Sequence, residues 1–368
     1  LVIGEHRAAR AVRKRFRSSK ACAAKAKPHL EALNYLGRTR WRINKAVLAV
    51  ALEALSGGLD IPGMPDAERV RAPLKPRDIE TNAEARQRWR RAKARAFEAD
   101  LAKRGKWLAA RRTLAEAEAL AGEDAFYFPH HCDFRGRIYP MPSSGLNIQG
   151  PDLARSLLEF AGGQVIGGRD ESAVGWLAAY VAKMFKAAAS GKTFAERIAW
   201  TRENGPLLRR IAEDPLGNRQ EWIAAADQPW LALAAAIEWV RYLDTGQGFV
   251  THLPVFIDGS ANGLQHFAAL TRDADLAVSV NLIGGQDRPQ DIYAEVAGQM
   301  TEELRRCADE ARGDSSAKQW LKVFASGEVP RAFAKRVVMT AAYGVTTGTI
   351  MSLAGELLNE LVPKGRVI

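Results

Sequence analysis

The chain of 368 residues is expected to fold as a predominantly helical α+β protein. Three observations predict this. Apolar residues recur at helical spacing over long stretches, and a block of aromatic and β-branched residues is punctuated by Pro and Gly. A brief apolar run also ends on an aspartate that is followed at once by another helical pattern. A chain of this length can bury a sizeable core and should hold two or three domains at roughly 150 residues each.

The sequence opens on Leu1 rather than Met and stops at Ile368 inside an apolar run, so it reads as a piece of a longer protein. Its formal net charge is +11, and up to residue 45 there are thirteen Lys or Arg against only Glu5 and Glu31, so the whole excess lies at one end. The run Arg13-Lys14-Arg15-Phe16-Arg17, followed by Lys20, Lys25 and Lys27, suits a polyanion by counterion release, and it equally suits a solvated basic arm.

From Leu30 to Leu55 apolar residues (Leu33, Leu36, Ile43, Val47, Val50, Ala54) predict helix, ended by Ser56-Gly57-Gly58. A connector with Pro62, Pro65, Pro73 and Pro76 follows. The Ala-, Arg- and Glu-rich stretch from Asn82 to Ala121 predicts long, exposed helices. Residues 126–140 predict two short extended segments around a turn. The block from about Ser172 to Leu243 reads as helical and carries Trp176, Trp200, Trp222, Trp230 and Trp239, expected in the core. A strand is expected at Val255-Phe256-Ile257 and a helix from Asn262 to Leu270. No apolar stretch reaches the roughly 20 residues a bilayer span needs, and nothing at the start resembles a signal peptide, so the chain reads as soluble. Cys22, Cys132 and Cys307 are too few and too scattered for a disulfide framework or a zinc knuckle.

Three segments carry candidate chemistry. In THLPVFIDGSANGLQHFAALTRD, residues 251–273, an apolar run delivers Asp258, Gly259 allows a tight turn, and a helix follows. Such a carboxylate suits Mg²⁺, which takes one or two carboxylates and completes its shell with water and substrate phosphates. It equally suits a turn or helix cap. In PRAFAKRVVMTAAYG, residues 330–344, Pro330 and Gly344 bracket a helix on which Arg331, Lys335, Met339 and Tyr343, spaced by four, form one stripe. Two cations at a helix N-terminus oppose its macrodipole, so they are poor helix stabilisers but well placed for a polyphosphate. A solvated face with Met339 and Tyr343 packed inward is the alternative. In DFRGRIYP, residues 133–140, Arg135 and Arg137 are expected on one side of an extended segment, available to nucleic-acid phosphates or to ion pairs with acidic neighbours.

Together these segments resemble the single-subunit RNA polymerase family of bacteriophages and mitochondria. DFRGRIYP is similar to the family's DxRGRxYP segment, DGSANGLQHFAAL to its first palm motif, and RAFAKRVVMTAAYG to its fingers motif. Weaker similarity runs through Trp41-Arg42-Ile43-Asn44-Lys45, Leu158-Glu159-Phe160-Ala161 and Asp291-Ile292-Tyr293. The resemblance implies a right-hand fold. Residues 1–37 would end an N-terminal domain, 38–123 form the thumb, 124–161 and 250–273 palm segments, 162–249 a helical palm insertion, and 274–368 an incomplete fingers domain.

The resemblance also implies DNA-directed RNA synthesis by a two-metal mechanism with Mg²⁺. Asp258 and the Gly259 carbonyl would hold metal. Arg331 and Lys335 would hold the triphosphate of the incoming ribonucleotide, Lys335 also acting on the leaving pyrophosphate. Met339 and Tyr343 would line the ribose and base pocket, and Arg135 and Arg137 would touch template or RNA. Implied partners are DNA template and promoter, nascent RNA and ribonucleoside triphosphates, with a monomer and no membrane. The setting would be the mitochondrial matrix or a bacterial cytoplasm. The family's second metal aspartate belongs to a later His-Asp motif that is not found before Ile368, so this chain would hold half of the metal site and be inactive by itself.

Ser190-Gly191-Lys192-Thr193 copies the end of a phosphate-binding P-loop, but Lys186 stands where the first Gly should be and the residues from Val181 on read as helix. A DNA polymerase of the same superfamily and a non-catalytic nucleic-acid-binding remnant are the remaining alternatives.

Overall fold

The computed structural model describes residues 20–133, 136–141, 145–167, 171–186, 192–257, 259, 261–284, 288–311, 313, 315–324, 326–341 and 344–361. They form two compact units, one ending at Val255 and one starting at Phe256, with Lys192 and Thr193 grouped with the second. Among the described residues the secondary structure is mostly helix with three two-stranded antiparallel sheets, the predominantly helical α+β class expected.

The first unit begins with α1 (Lys20–Gly37), β1 (Trp41–Ile43) and α2 (Lys45–Ser56). The single helical pattern expected over Leu30–Leu55 is therefore two helices split by a strand. The cause lies far along the chain, because β1 pairs antiparallel with β4 (Leu158–Phe160), Trp41 opposite Phe160 and Arg42 opposite Glu159. Trp41 and Ile43 point into the core, and the Arg42 guanidinium lies 2.8 Å from the buried Glu159 carboxylate. Removing Arg42 would leave the buried Glu159 carboxylate to Arg241, 3.9 Å away. Asn44 then restarts the helix, its side chain accepting from Val47 N at 3.1 Å.

The long polar stretch is one helix, α3 (Ala83–Leu120), 38 residues long, or roughly 57 Å at 1.5 Å per residue. Asn82 caps it through Ala85 N. Phe97, Leu101 and Leu108 are exposed, and Ala110, Leu114 and Ala117 are buried towards its end. Asp100, buried in mid-helix, accepts from Arg69 and from Val70 N of the Pro-rich connector.

Strands β2 (His130–Cys132) and β3 (Ile138–Pro140) make a hairpin. After α4 (Asp152–Ser156) and β4 come β5 (Gln164–Ile166), α5 (Glu171–Met184), α6 (Phe194–Glu203), α7 (Gly205–Glu213), α8 (Arg219–Ala225), α9 (Pro229–Thr245) and β6 (Phe249–Thr251), which pairs with β5. Helix α9 is the axis of this unit, with every residue from Pro229 to Val240 buried. Its first amides are satisfied from outside, Trp230 N and Leu231 N donating to the two carboxylate oxygens of Asp152 at 2.8 and 3.0 Å. Burial pushes the Asp152 carboxyl up, and those two amides oppose the shift. Of the five tryptophans expected in the core, Trp222, Trp230 and Trp239 are there, Trp200 is partly buried, and Trp176 is 66% exposed against Phe194. The turn from Val181 to Met184 is helical, so the strand a P-loop requires is not what leads towards Lys192.

The strand expected at Val255–Ile257 is not formed. Those residues have no assigned secondary structure, and the strand of this region is β6, six residues earlier. Apolar composition marks both stretches alike, but a strand exists by pairing with a neighbour. β5 supplies that neighbour to β6, while Pro254 takes away an amide just before Val255.

The second unit consists of α10 (Asn262–Thr271), α11 (Ala274–Ser279), α12 (Ile292–Glu310), α13 (Ser316–Val323), α14 (Arg331–Ala341) and α15 (Thr347–Leu361). Ala297, Phe324, Val329, Phe333, Ala334 and Leu357 form its larger core cluster, and Ala268, Ala277 and Val280 a smaller one. Beside the larger cluster Trp320, Phe324, Phe333 and Val337 line an open apolar cleft of about 530 Å³. No helix among the described residues is long and apolar enough to cross a membrane.

Candidate functional site

Helix α14 is the best-defined part of the site. Pro330 precedes its first residue and its carbonyl accepts from Phe333 N and Ala334 N, while Gly344, at φ 73°, lies beyond its end in the left-handed region that glycine tolerates. Phe333 and Ala334 are buried on one face. On the other face Arg331, Lys335 and Met339 are exposed, Met339 at 48%. Met339 is thus not a packing residue of this unit.

The two cations are held by the start of α12. Asp291 precedes that helix, and its Oδ1 accepts from Tyr293 N and Ala294 N at 3.2 Å while its Oδ2 accepts from Arg331 Nε. The Tyr293 ring lies 5.5 Å from the Arg331 guanidinium carbon and 5.8 Å from Lys335 Nζ, within cation–π range. Burial pushes the Asp291 carboxyl up, but the Arg331 guanidinium and the two helix amides outweigh it and hold it below the usual carboxylate range. A depressed carboxyl contributes stability above its unfolded pKa and loses it as pH falls through the folded value. Sequence reasoning finds Asp291 and Tyr293 only within a stretch of weaker family similarity and gives them no role. The separation of 40 positions from Asp291 to Arg331 hides the pairing.

Asp258, Arg135 and Tyr343 lie outside the described residues. Gly259 is exposed, and the turn after it is closed by Ala261, a non-glycine residue at φ 55° whose carbonyl accepts from Leu264 N and Gln265 N to start α10. The Gln265 side chain donates to Val280 O at 2.8 Å and so ties α10 to the end of α11. Among the described residues of this segment Gly259 could offer its backbone carbonyl to a metal ion, and no three His, Cys, Asp or Glu side chains converge among the described residues.

Arg137 is exposed and belongs to the first unit. Arg135, expected on the same side of an extended segment as Arg137, lies outside the described residues. Gly136 has φ 82° and donates to Asp133 O at 3.1 Å, while the Asp133 carboxylate accepts from Arg137 N at 2.9 Å. A φ of 82° is one that glycine tolerates and most other residues avoid.

Residues 168–363 match the family described as DNA-dependent RNA polymerase. The chain is 33% identical over 321 residues to DNA-directed RNA polymerase 1, mitochondrial, of Arabidopsis thaliana, covering 87% of this chain and 32% of that protein. It is 36% identical over 323 residues to DNA-directed RNA polymerase 2, chloroplastic/mitochondrial, of Nicotiana sylvestris, covering 87% and 31%. With DNA-directed RNA polymerase 3, chloroplastic, of the same plant the identity is 35% over 322 residues, covering 86% and 32%. The chain thus spans about a third of the length of these relatives. With the family match covering more than half of its residues, the chain belongs to the DNA-dependent RNA polymerase family, of the single-subunit phage type.

Proposed function

We propose that the protein containing this chain is a DNA-directed RNA polymerase, and that α14 binds the triphosphate of the incoming ribonucleotide. The observation that carries this reading is the exposed row Arg331, Lys335 and Met339, its cations gathered over Tyr293 at the N-terminal end of a helix. A triphosphate would meet two positive side chains and the helix dipole together. Met339 would offer an apolar surface to the nucleoside, and Tyr343 would sense its sugar.

Nucleotidyl transfer requires a 3′-oxygen in line with the α-phosphorus and a leaving pyrophosphate whose charge is neutralised. In this reading Arg331 orients the triphosphate and Lys335 offers its ammonium to the leaving group, while Asp258 and Gly259 hold Mg²⁺, which would supply charge neutralisation and activation of the attacking oxygen. Arg137, on an exposed turn, and Arg135 would take backbone phosphates of template or RNA. The assignment of 38–123 to a thumb, 124–161 and 250–273 to a palm and 274–368 to fingers belongs to the same proposal. The organellar names of the relatives favour a mitochondrial or plastid setting over a bacterial cytoplasm.

The experiment is extension of an RNA primer on a DNA template by the complete protein. Template-directed ribonucleotide addition that needs Mg²⁺ and disappears in Asp258→Asn is the expected result. Residues 1–368 alone should give no synthesis, because they supply one of the two aspartates. Synthesis that is indifferent to Asp258→Asn would refute the metal assignment, and no templated synthesis by the complete protein would refute the reading as a whole.

A second expected outcome concerns the basic end. Deleting residues 1–27 removes nine Lys and Arg. Each duplex phosphate that these cations no longer neutralise should flatten the slope of log affinity against log salt by about 0.9. An unchanged slope in the deletion variant would show that these residues do not touch DNA.

A further inference from the structure

We propose that Asp291 is a positioning residue that grips Arg331 by its Nε and so presents the other edge of the guanidinium to the incoming triphosphate. This rests on the reading of α14 as the triphosphate-binding helix.

Arg331 and Lys335 stand one helical turn apart, exposed, at the end of α14 where the dipole is also positive. Before an anion arrives, mutual repulsion and rotamer entropy would both spread them into solvent. Two groups from the start of α12 oppose this. The Tyr293 ring faces both cations, and one oxygen of Asp291 takes the Arg331 Nε. That carboxylate is not free to swing, because its other oxygen is committed to the amides of Tyr293 and Ala294.

A carboxylate fixed in this way is unlike a mobile counterion that an incoming phosphate would displace. A guanidinium has five N–H donors in a planar fork, and a carboxylate on the Nε side leaves open the end edge, with one N–H from each Nη. The arrangement keeps Arg331 in one rotamer, with the edge suited to bidentate phosphate binding turned outward.

The test turns on a sign. A carboxylate that merely competed with phosphate would, on removal, make the site more positive and tighten binding. A positioning carboxylate would, on removal, weaken it. Asp291→Asn separates the two, since Asn caps a helix about as well as Asp and its single side-chain oxygen can serve α12 while the grip on Nε is lost.

ATP and inorganic tripolyphosphate are titrated calorimetrically into the whole 368-residue chain as wild type, Asp291→Asn, Arg331→Ala, Lys335→Ala and the Asp291→Asn/Arg331→Ala double variant. The expected result is weaker binding of both probes by Asp291→Asn, on the order of fivefold, with no further loss when it is added to Arg331→Ala. The Arg331 Nε–H proton is expected to exchange slowly in the wild type and fast in Asp291→Asn. Should Asp291→Asn fail to fold, Arg331→Lys keeps the charge without an Nε edge and is expected to show the same loss. Tighter or unchanged binding in Asp291→Asn, an equal loss in the Arg331→Ala background, or wild-type affinity in Arg331→Lys overturns the inference alone. Unchanged affinity in both Arg331→Ala and Lys335→Ala refutes the triphosphate reading and takes the inference with it.

Discussion

In the complete polymerase, Lys335→Ala is expected to lower kcat by on the order of 100- to 1,000-fold, the range seen when one donor to a developing anion is removed. The loss should be equal for ribonucleotides and deoxyribonucleotides, because in the proposed reading the ammonium would act on the triphosphate, which both carry. It should fall chiefly on the chemical step, since charge accumulates on the bridging oxygen only as pyrophosphate departs. Lys335 is exposed on the side of α14 away from Phe333 and Ala334, so truncating it removes no core packing. Its stability effect should therefore stay within about 0.5 kcal/mol. Single-turnover incorporation on a primed template measures the effect. A rise in KM with kcat unchanged would mean that Lys335 binds ground state and transition state alike, and the leaving-group role would then be wrong.

Tyr343→Phe should leave ribonucleotide incorporation nearly intact while raising the relative use of deoxyribonucleotides roughly 5- to 150-fold, from an unsatisfied polar group that costs about 1–3 kcal/mol. A phenol both donates and accepts, so it can organise the groups around a ribose 2′-OH and leave them unpaired when that hydroxyl is missing. Removing the OH keeps the ring and deletes the penalty. The measurement is kcat/KM for rNTP and dNTP side by side, and an unchanged ratio would dismiss the hydroxyl as the sensor of the sugar. The two variants are separable by design, because Lys335→Ala should move both substrates together and Tyr343→Phe should move one.

The features legible in the sequence were those whose physical cause is local. The helical stretch opening at Asn82 was legible because composition acts locally, and α3 starts there, with Asn82 accepting from Ala85 N. Pro330 and Gly344 bracketed α14 because each acts through its own φ. The stripe Arg331, Lys335, Met339 followed from the helical repeat alone, and the order of three long motifs was enough to indicate the family to which the chain belongs. Tertiary structure decided whatever depends on a partner remote in the chain. Residues 41–43 are a strand because Leu158–Phe160 offers them an edge, and Val255–Ile257 are not, although they are the more apolar run. Trp176 is exposed although it is as apolar as Trp230. Asp291 became part of the site only when the fold set the N-terminus of α12 beside that of α14, forty residues on. Hydrogen bonds and ion pairs across such separations leave no periodicity in a sequence, since neither partner constrains the spacing of its own neighbours.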